Sequence, residues 1–179
     1  MSKRVGVFCG ASPGNDARYA QIARETAIAL AEMGYGIVYG GGRVGLMGIL
    51  ADAALEAGAE VIGVIPRSLA AKEIAHDGLT ELHVVESMHV RKAMMVDLSD
   101  AFVALPGGYG TMDELCEIIT WAQLRIHDKP VGLLNAGGYY DDLLRLFDRM
   151  REAGFVSPQN RRLLVDSPEI ASLARAMNL

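Results

Sequence analysis

Short apolar runs alternate with longer amphipathic segments along almost the whole of this 179-residue chain. The apolar runs are continuous, as in parallel strands that are covered on both faces. Such an alternation favours a parallel sheet between two layers of helices. We therefore predict an α/β fold, a Rossmann-like doubly wound parallel sheet, with residues 1–179 as a single domain. The predicted strands are Val5–Cys9, Gly36–Tyr39, Val61–Ile65, Leu82–Glu86, Ala101–Leu105 and Val131–Asn135.

The predicted helices are Asp16–Met33, Leu46–Ala57, Met88–Leu98, Thr111–Ile126 and Tyr140–Ala153, with two short pieces near Gln159–Leu164 and Pro168–Met177. In a doubly wound sheet, ligands bind at the carboxyl ends of the strands. The segments that should meet there hold most of the glycine clusters of the chain, with charged residues beside them. These segments are Gly10–Asn15, Gly40–Gly45, Pro66–Glu73, Ser87–Lys92 and Pro106–Glu114.

The charge balance and the apolar pattern exclude several classes of protein. Seventeen basic and 22 acidic residues give a net charge of −5, which argues against a nucleic-acid-binding face. No apolar run approaches the roughly 20 residues of a membrane span, and the N-terminus lacks the features of a signal peptide. Two cysteines are too few for a disulfide scaffold, and the four histidines show no metal-ligand spacing. We expect a cytoplasmic protein without a metal, with Cys9 and Cys116 both in the core.

The segment Gly40–Gly45 has the pattern G-x-G-x-x-G between a strand and a helix, which is typical of dinucleotide sites. Such a site also needs an acid at the end of the next strand, but Val61–Ile65 is followed by Pro66-Arg67. It normally follows the first strand, whereas this segment follows the second. Three interpretations stay open: a dinucleotide site, a close approach of Gly41 and Gly42 to a smaller nucleotide, and a tight turn.

The segment Gly10–Gly14 matches G-x-S-x-G, the pattern of a hydrolase nucleophile elbow. The oxyanion hole of an elbow uses the backbone N–H of the residue after the serine. Here that residue is Pro13, which has no N–H, so a serine hydrolase is disfavoured. Ser12 can still donate a hydrogen bond to a ligand, and the alternative is a turn that leads to the cap of the next helix.

The strongest signal is Pro106–Glu114, which follows a predicted strand and opens a helix. Its three glycines let backbone amides crowd toward a ligand, and a helix N-terminus favours an anion such as phosphate. Thr111 adds a hydroxyl group. Glu114 lies in the first turn, where it can stabilise a cationic transition state on a sugar or activate water. The alternative is that its carboxylate only stabilises the end of the helix.

The segment Ser87–Lys92 starts another helix, with Ser87 as the N-cap. Arg91 and Lys92 are cations near a helix N-terminus, where the dipole disfavours them. A residue that goes against a local preference at the end of a strand indicates a functional role. The Arg91 guanidinium can donate two hydrogen bonds to a phosphate or a carboxylate. The alternative is that both side chains lie in solvent. Glu73, in the loop after the third strand, carries little information by itself.

The helix around Trp121 is apolar nearly all round, and only one of its faces can cover the sheet. The remainder needs another cover, so we predict a homodimer with this helix in the interface. The apolar residues are Leu115, Ile118, Ile119, Trp121, Ala122 and Leu124.

Several of these motifs occur together in one known family. Pro106–Glu114 has the form PGGxGTxxE, Gly40–Gly48 is GGGRVGLMG, and Ser87–Lys92 is SMHVRK. The stretches FCGASPG, VIGVIP, WAQL and HDKPVGLLN agree as well. From about Val5 to Val165, the chain resembles the Lonely Guy family of cytokinin-activating phosphoribohydrolases.

The resemblance implies a Rossmann-like homodimer, with a larger homo-oligomer left open. It implies hydrolysis of the N-glycosidic bond of N6-substituted adenosine 5′-monophosphates, with AMP as a further candidate substrate. The products would be the free base and ribose 5-phosphate, and no cofactor is implied. Arg91 and Glu114 match the catalytic pair of the family. The implied nucleotide contacts are Glu73, Arg91, Lys92, Gly107, Gly108, Tyr109, Gly110, Thr111, Met112, Asp113, Glu114 and Thr120.

Members of the family have often carried the label lysine decarboxylase, which would require pyridoxal phosphate on a lysine. The chain has four lysines, and its glycine loops hold none suited to that role, so the label is disfavoured. Three positions depart from the expected pattern: Arg43 replaces a small residue, Ala71 replaces a glycine, and Asp113 stands where Glu is frequent. Arg43 leaves the specificity for the base open.

Three rival functions use the same features. A broader nucleoside 5′-monophosphate nucleosidase would need the same catalytic residues. A non-enzymatic nucleotide-binding module would keep the glycine loops and have no need of Glu114, so the presence of both Arg91 and Glu114 argues against it. A Rossmann oxidoreductase is disfavoured because the acid that would bind the ribose is missing.

Overall fold

A computed structural model describes residues 3–70 and 75–179. All six predicted strands are present and pair in parallel with their neighbours, which confirms the predicted fold class. A further strand at one edge extends the sheet to seven, in the order β4-β3-β2-β1-β5-β6-β7. The strands are β1 Arg4–Phe8, β2 Gly36–Tyr39, β3 Val61–Pro66, β4 Glu81–Val85, β5 Ala101–Ala104, β6 Val131–Leu134 and β7 Leu164–Ser167.

Helices cover both faces of the sheet. They are α1 Ala17–Glu32, α2 Gly45–Glu56, α3 Arg67–Ala70, α4 Met88–Leu98, α5 Tyr109–Gln123, α6 Asp141–Glu152, α7 Pro158–Arg161 and α8 Ile170–Met177, with a 3-10 turn at Ala136–Gly138. Two buried clusters fill the space between the layers. Residues of α1, α2 and α8 pack on one face, and residues of α4, α5 and α6 pack on the other.

The strand β7 is the main difference from the predicted fold. The sequence predicts a short helical piece near Gln159–Leu164, but the structure has a single helical turn, α7, followed by an edge strand that pairs with β6. The strand β7 has only four residues, which is too few for a recognisable pattern of apolar residues. Its two middle residues are not fully buried. The apolar signal of a doubly covered strand is therefore missing at this edge.

Local signals fix the ends of the helices where the sequence predicts them. The Asp16 carboxylate accepts a hydrogen bond from the Arg18 amide at 2.9 Å, and Ser87 accepts one from the Val90 amide at 3.3 Å. Both are N-caps. Gly34 and Gly58 follow α1 and α2 with φ of +81° and +80°, the left-handed conformation that ends many helices.

The chain reverses direction across the sheet between β1 and β5, since β2 to β4 lie on one side of β1 and β5 to β7 on the other. The loops after β1 and β5 therefore diverge and leave a crevice, which is where doubly wound sheets bind ligands. Among the described residues, no helix is both long and apolar enough to cross a membrane.

We expect His127 to make stability depend on pH. Its Nε2 lies 3.0 Å from the Ile118 carbonyl and its Nδ1 accepts from the Lys129 amide at 3.1 Å, so the two contacts together require a neutral ring. Burial lowers the pKa of this imidazole from its usual 6.5, and the Lys129 charge lowers it further, against the Ile118 hydrogen bond, which raises it.

The unfolded chain therefore binds a proton at His127 at a higher pH than the folded chain does. We expect the free energy of unfolding to decrease as the pH falls below about 6.5, and the decrease to be smaller in His127→Gln. Urea unfolding of both proteins between about pH 5 and pH 8 measures this difference. Identical pH profiles for the two proteins would contradict the prediction.

Candidate active site

A cavity of about 450 Å³ opens at the crevice between β1 and β5. The loop after β1 forms one wall and the loop after β5 together with the start of α5 forms the other, while Gly40 closes the side next to β2. Arg91 reaches it from α4 and Glu114 from α5. Three of the five segments that the sequence selects as functional thus meet in one place, and a fourth contributes Arg91.

The two walls approach so closely that only glycine fits between them. The Gly10 amide donates to the Pro106 carbonyl at 3.2 Å, which ties the loop after β1 to the loop after β5. A Cβ on Gly107 would lie 2.9 Å from the Gly10 nitrogen and would overlap the Thr111 side chain. Gly107 is therefore required by the packing of the protein itself, before any ligand is considered.

The N-terminus of α5 forms part of this cavity wall. Gly108 occupies the N-cap position and has no side chain to satisfy the first-turn N–H groups. Gly108, Tyr109 and Gly110 line the cavity and are exposed, while the Thr111 side chain is buried beneath them. A 15-residue helix with uncapped amides and a partial positive charge at this end suits an anion.

Arg91 and Glu114 form a buried ion pair in the cavity wall. Arg91 Nη1 lies 3.3 Å from Glu114 Oε1, and both residues are less than 10% exposed. The guanidinium is also anchored at its other end, where Nε donates to the Val64 carbonyl at 3.0 Å. A Cβ on Gly40 would overlap the guanidinium, so this glycine makes room for the cation. The pair therefore has a fixed geometry and is shielded from water.

Cys9 lies in the cavity wall beside this pair. Burial raises the pKa of its thiol, the Glu114 charge raises it further, and Arg91 only partly opposes them. The thiol is therefore protonated and a poor nucleophile. Cys9 is buried, as predicted, but the prediction for Cys116 is wrong, since that residue is exposed. Cys116 lies instead at the groove between α5 and α6.

Lys92 lies on α4 next to Arg91, but its ammonium group contacts two acids of α5. Its Nζ lies 2.7 Å from Asp113 Oδ2 and 3.0 Å from Glu117 Oε2. Burial opposes the charge, but the hydrogen bonds to Asp113 and Glu117 outweigh it, and the pKa of Lys92 is raised. These acids offset the unfavourable position of a cation near a helix N-terminus. Lys92 and Asp113 thus contact each other and do not line the cavity.

The other predicted contacts divide between the cavity and positions outside it. Ser12, Gly107 and Thr111 line it, whereas the half-buried Met112 does not. Thr120 lies in a separate groove of about 190 Å³ between α5 and α6, where its hydroxyl donates to the Cys116 carbonyl at 2.7 Å. Glu73 lies outside the described residues.

The G-x-G-x-x-G segment is explained largely by packing. The Gly41 carbonyl accepts from the His76 amide at 3.0 Å, and Gly42 forms a bridge with Ala75. Gly45 has φ of +63°, and a Cβ there would overlap the Ala11 backbone. Gly41 and Gly42 are not in the cavity lining. Arg43, which departs from the family pattern, pairs with Asp77 at 2.9 Å.

Two tyrosines of the cavity lie outside the motifs of the sequence. Tyr19 comes from α1, and Tyr139 follows the 3-10 turn after β6. A signal for Tyr139 was present, because β6 neighbours β5 and its carboxyl end opens on the same edge of the sheet.

The fold and the cavity define a doubly wound α/β protein with an uncapped helix end and a buried cation–carboxylate pair in the crevice between β1 and β5. A family model described as "Possible lysine decarboxylase" matches residues 47–177. The chain is 50% identical to "Cytokinin riboside 5'-monophosphate phosphoribohydrolase LOG1" of Arabidopsis thaliana, over 98% of this chain and 82% of that protein. The chain belongs to this family, the Lonely Guy family that its motifs predict.

A second relative supports this assignment, and two solved structures share the fold. The chain is 53% identical to "Probable cytokinin riboside 5'-monophosphate phosphoribohydrolase LOGL5" of Oryza sativa subsp. japonica, over 96% of this chain and 70% of that one. A Moco carrier protein of Chlamydomonas reinhardtii superposes with a TM-score of 0.72 at 22% identity, covering 99% of this chain and 96% of its own. A molybdenum cofactor binding protein of Rippkaea orientalis gives a TM-score of 0.73 at 20% identity, covering 99% and 97%. These two structures share the fold.

The description of the family as a lysine decarboxylase finds no support in the cavity. Pyridoxal phosphate chemistry requires a lysine amine at the reacting centre. Among the described residues that line the cavity, none is a lysine, and Lys92 is directed to the two acids of α5.

Proposed function

We propose that the protein hydrolyses the N-glycosidic bond of N6-substituted adenosine 5′-monophosphates, with AMP as a further candidate substrate. The observation that carries this proposal is the buried Arg91–Glu114 pair, 3.3 Å apart, next to an anion-binding helix end in one cavity. The names of the relatives at 50% identity and above support the substrate class. The products are the free base and ribose 5-phosphate.

The start of α5 sets the position of the nucleotide. In the proposed complex the 5′-phosphate binds the amides from Gly108 to Thr111, where the helix dipole favours an anion. Glu114 lies three residues beyond Thr111, about 4.5 Å further along the helix axis. The ribose then lies between the phosphate site and the Glu114 carboxylate, with C1′ toward the carboxylate.

The carboxylate acts on the reacting carbon. As the bond between C1′ and N9 breaks, its electron pair leaves with the base and positive charge develops on the ribose ring. Glu114 stabilises this charge and orients a water molecule, whose oxygen bonds to C1′ while its proton is released. The base takes up one proton as it leaves. Arg91 holds the carboxylate in place and offers a further cationic contact to the ribose phosphate.

We further propose that the protein is a cytoplasmic homodimer, with the outer side of α5 in the interface. Leu115, Ile118 and Ala122 are buried against the sheet, but Leu124 and Ile126, just beyond the end of the helix, are more than 60% exposed. An apolar surface of this kind favours association. Two free cysteines are compatible with a reducing compartment. Light scattering at micromolar concentration should give twice the mass of one chain, and a monomeric mass would refute the dimer.

The decisive experiment compares three substrates. Isopentenyladenosine 5′-monophosphate, its unphosphorylated riboside and AMP are incubated separately with the protein, and chromatography follows the free base and ribose 5-phosphate. We expect release from both nucleotides, faster from the prenylated one. Loss of the phosphate should lower kcat/KM by about 10²-fold, because it removes two or more charge-assisted hydrogen bonds.

Three other outcomes of this comparison would change the proposal. Equal hydrolysis of the riboside would contradict the phosphate site at α5. Release from AMP alone would indicate a broader nucleoside 5′-monophosphate nucleosidase. No release from any of the three substrates would refute the proposed activity.

A further inference from the structure

The turn after β6 is built to hold two tyrosines in fixed places. The Asn135 side chain accepts from the Tyr140 amide at 2.7 Å and donates to the Asp141 carboxylate at 2.8 Å. Gly137 and Gly138 have φ of +62° and +73°, which lets the chain reverse tightly between them. This turn therefore has a single defined conformation, although no part of the proposed mechanism uses it.

Both tyrosines reach across to the backbone of the loop after β5. The Tyr139 hydroxyl donates to the Gly107 carbonyl at 2.7 Å, and the Tyr140 hydroxyl donates to the Leu105 carbonyl at 2.6 Å. Tyr140 is almost completely buried and belongs to the core, whereas Tyr139 is 43% exposed and lines the cavity. The two hydroxyl groups make the same kind of bond, but only one of them acts at the cavity wall.

The bond from Tyr139 restrains the peptide between Gly107 and Gly108. A trans peptide is planar, so the Gly107 carbonyl and the Gly108 N–H point in opposite directions. Two adjacent glycines allow this peptide to rotate, and a rotated peptide would present a carbonyl oxygen to an anion. The preceding peptide is held by the bond between the Gly10 amide and the Pro106 carbonyl. Tyr139 supplies the corresponding restraint for the next one.

The Tyr139 ring is itself held between two aromatic neighbours. It packs edge-on against Tyr19 at a centroid distance of 5.6 Å and against Tyr140 at 4.8 Å. These contacts involve the ring and not the hydroxyl group. A phenylalanine at position 139 can therefore keep the packing and lose only the hydrogen bond to Gly107.

We propose that Tyr139 is a positioning residue for the phosphate subsite, whose hydroxyl holds the Gly107–Gly108 peptide with the Gly108 N–H turned toward the anion. This inference rests on the proposed function for the identity of the anion, a 5′-phosphate. It assigns to the turn after β6 a role in substrate selection, through the backbone of a neighbouring loop and without a direct contact to the nucleotide.

The experiment compares wild type, Tyr139→Phe and Tyr140→Phe. Calorimetric titration with inorganic phosphate measures the anion site without any chemistry. We expect the Kd to be about tenfold weaker in Tyr139→Phe, the effect of weakening one charge-assisted hydrogen bond. Tyr140→Phe is the matched control, because it removes the same group from the same loop away from the cavity, and its Kd should equal that of wild type. Thermal unfolding shows that each variant is folded.

Kinetics provide the second measurement. Tyr139→Phe should raise KM for the nucleotide about tenfold with kcat nearly unchanged, and should leave hydrolysis of the unphosphorylated riboside as it is. Equal phosphate affinity in wild type and Tyr139→Phe, or no phosphate binding by wild type, overturns the inference. A wild type that binds phosphate in a Tyr139-dependent way but hydrolyses no nucleotide refutes the proposed function and supports the positioning role.

Discussion

Glu114→Gln should lower kcat for nucleotide hydrolysis by about 10²–10³-fold and leave the fold intact. The substitution keeps the size of the side chain and removes its charge, and a single electrostatic contribution to a transition state is worth a factor of this order. Glu114 is 9% exposed and faces Arg91 in the cavity wall, so water cannot take over its role efficiently. Because the carboxylate acts mainly as charge develops on the ribose, KM should change little.

Glu117→Gln is the matched control for this variant. Glu117 lies on the same helix one turn further on, and its carboxylate pairs with Lys92 at 3.0 Å outside the cavity. The same chemical change there should leave turnover near that of wild type. Steady-state rates with isopentenyladenosine 5′-monophosphate measure both variants. A Glu114→Gln protein with a near-normal rate, or a Glu117→Gln protein with an equal loss, would rule out the assigned role of Glu114.

The second large effect is expected for Arg91→Met, which should lose activity and stability together. The substitution keeps an unbranched chain but removes the guanidinium that pairs with Glu114 and donates to the Val64 carbonyl. Breaking a buried ion pair by removing one partner costs about 3–5 kcal/mol of folding free energy. Arg91→Lys should not restore function, because an ammonium group cannot make the same two contacts at once.

A double-mutant cycle separates the charge from the packing. Urea unfolding of Arg91→Met, Glu114→Gln and the double variant gives the coupling free energy of the pair. The double variant should be more stable than Arg91→Met, because it no longer buries a carboxylate from which the facing cation has been removed. Strict additivity of the two single effects would show that the pair is not coupled, against the 3.3 Å separation.

The sequence was informative wherever a local rule and the global fold agree. Continuous apolar runs identified six strands, and the rule that ligands bind at carboxyl ends selected the loops that form the cavity. It could not show that Arg91 and Glu114 are 3.3 Å apart, because they lie on different helices and meet only through the pairing of the strands. The motifs located the two residues, and the family resemblance joined them as a pair.

The sequence was less informative where one residue type serves two purposes. The glycines of Gly40–Gly45 look like a nucleotide loop, yet a Cβ on Gly45 would overlap the Ala11 backbone and a Cβ on Gly40 would overlap the Arg91 guanidinium. Lys92 has the charge of a phosphate ligand, but its two acidic partners lie more than twenty residues further along the chain. Tyr139 acts through a backbone carbonyl, and such a contact leaves no pattern in residue spacing.

The pairing of β1 with β5 brings Val5 next to Ala101 and thereby joins the two halves of the chain. The loops that follow these two strands supply opposite walls of the cavity, so neither half contains a usable site alone. A chain in which only the first half has folded therefore lacks one wall of the cavity. We therefore expect nucleotide hydrolysis to return during refolding only after the two halves have docked, because contacts between residues far apart in the sequence form slowly.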